Sequence, residues 1–230
     1  MKKIHNIIVA AGSGSRFGGP LPKQFLNLGG RPVAMHAIAR LRESLPGATD
    51  TIVLAASEIE RWEDLCREHG FKSPEIAAGG PTRFHSVMNA LACVPEDTDI
   101  IMVHDGARPF PSRAMIERLV AAFVAEDCDG AILAVAVTDS LREVAADGSS
   151  QSVDRARFRA VQTPQAFPAA VLKDAYSRAG DASLFTDDAS VVEAAGYNRI
   201  RLVEGSAYNL KITNPRDLSV AESLIGQADS

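Results

Sequence analysis

The run Ala131-Ile132-Leu133-Ala134-Val135-Ala136-Val137 carries no polar side chain. Side chains alternate between the two faces of a strand, so a strand built from this run needs covering on both sides. Ile7-Ile8-Val9 within Ile4 to Ala10, Thr51 to Ala55 and Asp99 to His104 make the same demand, and Glu75 to Ala78 reads as a further short strand. Between them, apolar residues recur at helical spacing over Pro32 to Leu45, Glu58 to His69, Thr82 to Cys93 and Ser112 to Ala125. Buried strands separated by helices predict an α/β fold with a mostly parallel sheet covered on both faces. At 230 residues the chain suits one such domain over 1–230, with a full core.

After Val137 the rhythm breaks. Thr138 to Thr163 is charged and holds an Asp147-Gly148 turn signal, and Asp139–Val144 and Gln151–Val161 read as the strands of a hairpin. The segment is too polar for core, so residues 138–163 are expected to protrude as a β-arm. An exposed hairpin edge needs a partner, which makes the arm the expected contact of a homodimer. Helices over Ala169–Arg178 and Asp187–Ala195, a strand over Arg199–Glu204, a late strand over Tyr208–Ile212 and a helix from Pro215 return to the domain.

A formal net charge of -5 argues against a general nucleic-acid or membrane binder. No apolar run approaches the ~20 residues of a membrane span. Cys66, Cys93 and Cys128 are scattered without a C-x-x-C pair, which favours free thiols in a reducing, cytoplasmic setting. The first residues enter a strand at once and show no signal-peptide core.

Ligands of open α/β sheets bind beyond the carboxyl ends of the strands, and three loops there carry chemistry. The first, Ala10 to Gln24, contains Gly12, Gly14, Gly18 and Gly19 with Arg16 and Lys23. Glycines let main-chain N–H groups approach an anion, and the cations add charge, so this loop reads as a polyphosphate site. It fits neither a dinucleotide fingerprint nor a Walker loop, and Pro20 and Pro22 keep the approach to Lys23 out of helix, so an extended flap over the ligand is expected. The second loop, Ala78-Gly79-Gly80-Pro81-Thr82-Arg83, opens the helix with Ser86. The third, His104-Asp105-Gly106-Ala107-Arg108-Pro109, offers a carboxylate for a hydroxyl or a Mg²⁺ water and a guanidinium for phosphate. Thr186 or Asp187 reads as a helix cap. Asp127-Cys128-Asp129 resembles a metal-binding D-x-D but precedes its strand, and the histidines show no metal spacing, so both are declined as sites.

The ordered motifs AAGSGSRFGGPLPKQF, AGGPTRFHSV, VHDGARPF, VDR, TPQAF, FTDDAS and NLKIT together resemble the 2-C-methyl-D-erythritol 4-phosphate cytidylyltransferases, over nearly the whole chain. The resemblance implies a Rossmann-like nucleotidyltransferase fold, a homodimer joined through the arm, and reaction of CTP with methylerythritol 4-phosphate, a polyol phosphate. It implies that Arg16 and Lys23 stabilise charge on the α-phosphate, and that Ala10, Ala11, Gly12, Gly14, Gly80 and Ser86 surround the nucleotide. Asp105, Arg108 and Thr186 match substrate-binding positions, and Arg155 and Lys211 positions that align the attacking phosphate. Arg155 and Thr186 would reach the partner subunit's site. A Mg²⁺ ion held mainly by phosphates is implied, with its protein ligands unknown. Pro81 stands where some relatives have an acidic residue. Ribitol 5-phosphate cytidylyltransferases share much of this pattern, and a catalytically silent nucleotide-binding regulator is the rival of another class.

Overall fold

A computed structural model describes residues 2–12, 21–125 and 128–225. In chain order the elements are β1 (Ile4–Val9), β2 (Asn27–Leu28), β3 (Arg31–Pro32), α1 (Val33–Ser44), β4 (Thr49–Leu54), α2 (Ile59–Glu68), β5 (Glu75–Ala78), α3 (Arg83–Leu91) and β6 (Ile100–Asp105). There follow α4 (Arg113–Ala125), β7 (Gly130–Ala136), β8 (Leu141–Val144), β9 (Ser150–Val153), β10 (Arg159–Pro168), α5 (Ala169–Arg178), α6 (Asp188–Ala194), β11 (Ile200–Glu204) and α7 (Pro215–Leu224).

Among the described residues one seven-stranded sheet runs in the order β11-β7-β10-β6-β1-β4-β5. Strands β1, β4, β5 and β6 pair parallel to one another, as do β7 and β11. The mostly parallel α/β fold is thus as expected. Alternation along each strand divides the core. Ile8, Ile52, Leu54, Met102 and Leu133 meet α1, α2 and α4 on one face. On the other, Ile7, Val53, Ile101, Val103 and Ile132 meet α3, α5 and α6. Each such side chain contributes roughly 1.5–3 kcal/mol by leaving water, and the two-sided demand of the apolar runs is met.

Two segments differ from the sequence reading. The expected second hairpin strand, Gln151–Val161, is split. Only β9 pairs with β8; Arg155–Arg157 forms a 3-10 turn capped by Asp154, and from Arg159 the backbone rejoins the main sheet. There β10 lies antiparallel between β6 and β7, so the projecting part ends short of Thr163. The reading failed because Gln162, Thr163 and Gln165 are polar yet buried, their hydrogen-bond partners coming from remote parts of the chain. The second difference is Tyr208–Ile212, which forms no strand. This segment is fixed instead by Ile212 N–H on the Ala107 carbonyl (2.9 Å) and by the buried Asn209, whose amide donates to the Thr163 carbonyl (2.9 Å).

Strand β1 is flanked by β4 on one side and β6 on the other, so successive crossovers leave it in opposite directions. A crevice opens at such a switch point, beyond the carboxyl ends of the strands.

Candidate active site

That crevice is a cavity of about 430 Å³ lined by the ends of β1 and β6 and by the loop from β5 into α3, together with Lys23, Gln24 and Lys211. Ala10, Ala11, Gly12, Lys23, Gly80, Ser86, Asp105 and Lys211, all singled out in the sequence, converge on it. Gly14 and Arg16, with the flap proper, lie outside the described residues.

Each wall has a local cause. Gly79 N–H donates to the Leu54 carbonyl (2.7 Å) and Gly80 N–H to Ser86 Oγ (3.1 Å), whose hydroxyl donates to the Thr82 carbonyl (3.0 Å). Thr82 caps α3 by accepting from His85 N–H. A Cβ on Gly80 would fall inside the His85 side chain, so only glycine permits this turn. Ser86 therefore shapes this wall of the cavity through its own hydroxyl, besides lining it. Across the cavity, the Gln24 amide is 2% exposed and donates to the carbonyls of Ala10 (2.6 Å) and Gly12 (3.2 Å). It ties the 3-10 turn bearing Lys23 to the start of the glycine loop.

Asp105 ends β6 at the floor. Its N–H donates to Thr163 Oγ1 (2.9 Å), and Thr163 Oγ1 lies 3.2 Å from Nδ1 of the fully buried His104. The other ring nitrogen, Nε2, faces the Arg108 carbonyl at 3.0 Å, an acceptor only, so Nε2 carries the proton and the Thr163 hydroxyl donates to Nδ1. Burial lowers His104 to about 4, so the ring is neutral. The Asp105 carboxylate meets Lys211 Nζ at 2.7 Å on Oδ2, Arg83 Nε at 3.5 Å on Oδ1 and Arg108 Nε at 3.7 Å. Burial alone would raise its pKa, but Arg83, Lys211 and Arg108 outweigh that and hold it well below the usual carboxylate range. Asp105 is thus a permanent anion, suited to accepting from a hydroxyl and unsuited to taking up a proton.

Lys23, Arg83 and Lys211 against one carboxylate, Asp105, make the described lining net positive within an acidic chain. Such a pocket suits a polyanion carrying hydroxyls. Arg108 adjoins Asp105 without lining the cavity, and donates to the Asn209 carbonyl (2.7 Å). Arg155, exposed at the base of the arm, donates to the Thr138 carbonyl, and exposed Thr186 precedes the Asp187 cap of α6; neither lines the cavity. Sequence reasoning gave no role to Gln24, Arg83, Thr163, Asp188 or Asn209. For Gln24 and Arg83 the available signal was adjacency to loop residues already marked; Thr163, Asp188 and Asn209 stand in the motifs TPQAF, FTDDAS and NLKIT, but their partners are remote in the chain. The declined D-x-D is engaged otherwise as far as described, since Asp129 pairs with Arg199 (2.8 Å). Among the described residues no cluster of three or more His, Cys, Asp or Glu could hold a metal, and no helix is long and apolar enough to cross a membrane.

The family model described as IspD: 2-C-methyl-D-erythritol 4-phosphate cytidylyltransferase matches residues 4–227. The chain is 43% identical over 220 residues to the 2-C-methyl-D-erythritol 4-phosphate cytidylyltransferase of Bacteroides thetaiotaomicron, covering 95% of this chain and 98% of that protein. The crystal structure of the protein of the same name from Thermus thermophilus matches with a TM-score of 0.75 at 33% identity, over 100% of both chains. The 4-diphosphocytidyl-2C-methyl-D-erythritol synthase of Anaerococcus prevotii matches with a TM-score of 0.82 at 23% identity, over 98% of this chain and 96% of that one, a likeness of fold.

Proposed function

The chain belongs to the 2-C-methyl-D-erythritol 4-phosphate cytidylyltransferase family, and on that premise we propose how its cavity carries out cytidylyl transfer. The reaction joins CTP and 2-C-methyl-D-erythritol 4-phosphate to give 4-CDP-2-C-methyl-D-erythritol and pyrophosphate, a step of isoprenoid precursor synthesis. An oxygen of the substrate phosphate attacks the α-phosphorus of CTP, the bond from that phosphorus to the β-phosphate oxygen breaks, and pyrophosphate leaves. The attacking oxygen is already ionised at neutral pH, so no general base is required, in keeping with a permanently anionic Asp105.

The barrier is the approach of two anions and the charge of the pentacoordinate state. Fixed cations lower it without reorganising during the reaction. Lys23, on the glycine-loop side, and Lys211 and Arg83, on the Asp105 side, are cations of this kind within the described cavity, with Arg16 proposed to join Lys23 at the α-phosphate. Ala10, Ala11, Gly12, Gly14, Gly80 and Ser86 would enclose the nucleotide; Asp105 and Arg108 would hold the polyol phosphate. The juxtaposition of Lys23 and Lys211 around one cavity carries this reading. When bound, Mg²⁺ would supply positive charge that offsets the charge of the phosphates. The described lining offers it one carboxylate, Asp105, already engaged by Lys211, so phosphates would supply most of its ligands.

Arg155 and Thr186 would serve the second subunit of a homodimer. The apolar side chains of Val144 (68% exposed), Phe158 and Val161 along and beside the arm support that partner. Free thiols at Cys66 and Cys93 suit a reducing cytoplasm. Pyrophosphate release from CTP, measured with methylerythritol 4-phosphate and separately with ribitol 5-phosphate, tests the assignment. Turnover with the first alone is expected. Turnover only with the second would move the chain to the rival specificity, and none with either would make it a silent nucleotide binder.

A further inference from the structure

Asp188 lies at the start of α6 with its side chain 0% exposed, far in sequence from any loop that lines the cavity. A buried carboxylate must be paired. Its Oδ2 accepts from an Nη of Arg83 at 2.6 Å, and its Oδ1 accepts from the Tyr176 hydroxyl at 2.7 Å. Tyr176 is itself held by its ring, stacked on Phe84 at 4.8 Å between centroids, next to Arg83 in the chain. The guanidinium of Arg83 therefore stands between two acids, hydrogen-bonded to buried Asp188 and 3.5 Å from Asp105 Oδ1 in the cavity. That second separation exceeds the usual 2.7–3.2 Å of an N–H···O bond. Asp105 consequently has one oxygen committed to Lys211 and the other held just out of reach of Arg83.

We infer that Asp188 is a positioning residue for the reaction proposed above: by holding Arg83 back, it keeps Asp105 Oδ1 open to a hydroxyl of the polyol phosphate. The Coulomb argument is direct. With Asp188 neutral, Asp105 is the remaining acid in contact with Arg83, and the guanidinium closes onto Oδ1. Oδ1 is then engaged by Arg83 as Oδ2 already is by Lys211, with Arg108 3.7 Å away, and a ligand hydroxyl competes with a guanidinium for it. Tyr176 contributes by satisfying the second Asp188 oxygen and fixing the carboxylate's orientation.

The inference rests on the assigned reaction for its kinetic half alone. In a crystal structure of Asp188→Asn, the Arg83 Nε to Asp105 Oδ1 distance should close to about 3 Å. The KM for methylerythritol 4-phosphate should rise at least ~10-fold, with the KM for CTP changed by less than about twofold. In an Arg83→Gln background, where two neutral amides would face each other and leave no buried charge unmatched, Asp188→Asn should add no further rise. Tyr176→Phe, which keeps the stacked ring, should raise the same KM by about 3-fold or more. An unmoved Arg83, an unchanged polyol phosphate KM in Asp188→Asn, or additive effects in the double variant would overturn the inference. Wild-type protein inactive with both polyol phosphates would instead sink the assigned reaction, while the Arg83 to Asp105 distance in Asp188→Asn would still decide whether Asp188 restrains Arg83.

Discussion

Lys211 Nζ lies 2.7 Å from Asp105 Oδ2, although Lys211 sits in an irregular segment and Asp105 at the end of a buried strand. The backbone bond from Ile212 N–H to the Ala107 carbonyl explains how the two meet: it lays the 209–212 segment against the loop that follows Asp105. The position of Lys211 is thereby set by a backbone contact that survives removal of its ammonium.

Lys211→Met should therefore fold. Arg83 and Arg108 still neighbour Asp105, so the carboxylate is not stranded. Turnover should fall by about 100- to 1000-fold, the usual loss for a preorganised charge donor. Asp105 would lose one of the cations that depress its pKa, so its carboxyl should titrate higher than in the wild type while Arg83 and Arg108 still hold it down. An unchanged rate with an unchanged urea midpoint would assign Lys211 to the surface alone.

Lys23→Ala should keep the fold and lower turnover by about the same 100- to 1000-fold. Its turn is held by Gln24 and by Phe25 N–H on the Pro22 carbonyl. Single-turnover rates would separate a loss in the chemical step from a loss in CTP binding.

Gln24→Leu removes both donors to the glycine-loop carbonyls in a site 2% exposed. Leaving a buried acceptor unmet costs about 1–3 kcal/mol, to be read as a lower urea midpoint. Activity should fall as well, because the Lys23 turn loses its tie to Ala10. Full activity with reduced stability would limit Gln24 to a packing role.

His5 and His104 are each lowered by burial from 6.5 to about 4. The unfolded chain binds protons below pH 6.5 that the folded chain refuses, so their contribution is complete above pH 6.5 and is lost as pH falls toward 4. Between pH 7 and 5 each should withdraw about 2 kcal/mol of stability. Denaturant unfolding at the two pH values tests this, and equal stabilities would show that the rings protonate freely in the fold.

The sequence by itself determined the layered fold and the chemistry of the loops. Runs such as Ala131–Val137 have no polar face to turn to water, and Ala169–Arg178 repeats its apolar residues at helical spacing, so local pattern dictates element type. Glycine, lysine and aspartate at strand ends likewise declare their chemistry without a partner in view. Tertiary structure decided where polarity is buried. Strand β10 passes through the core with Gln162, Thr163 and Gln165 because Asn209, His104 and Asp187 complete their hydrogen bonds, and none of those partners is near in the chain. The same holds for Arg83, whose aim depends on Asp188. A buried charge is tolerable only beside its counter-charge, and folding alone brings such distant residues into contact.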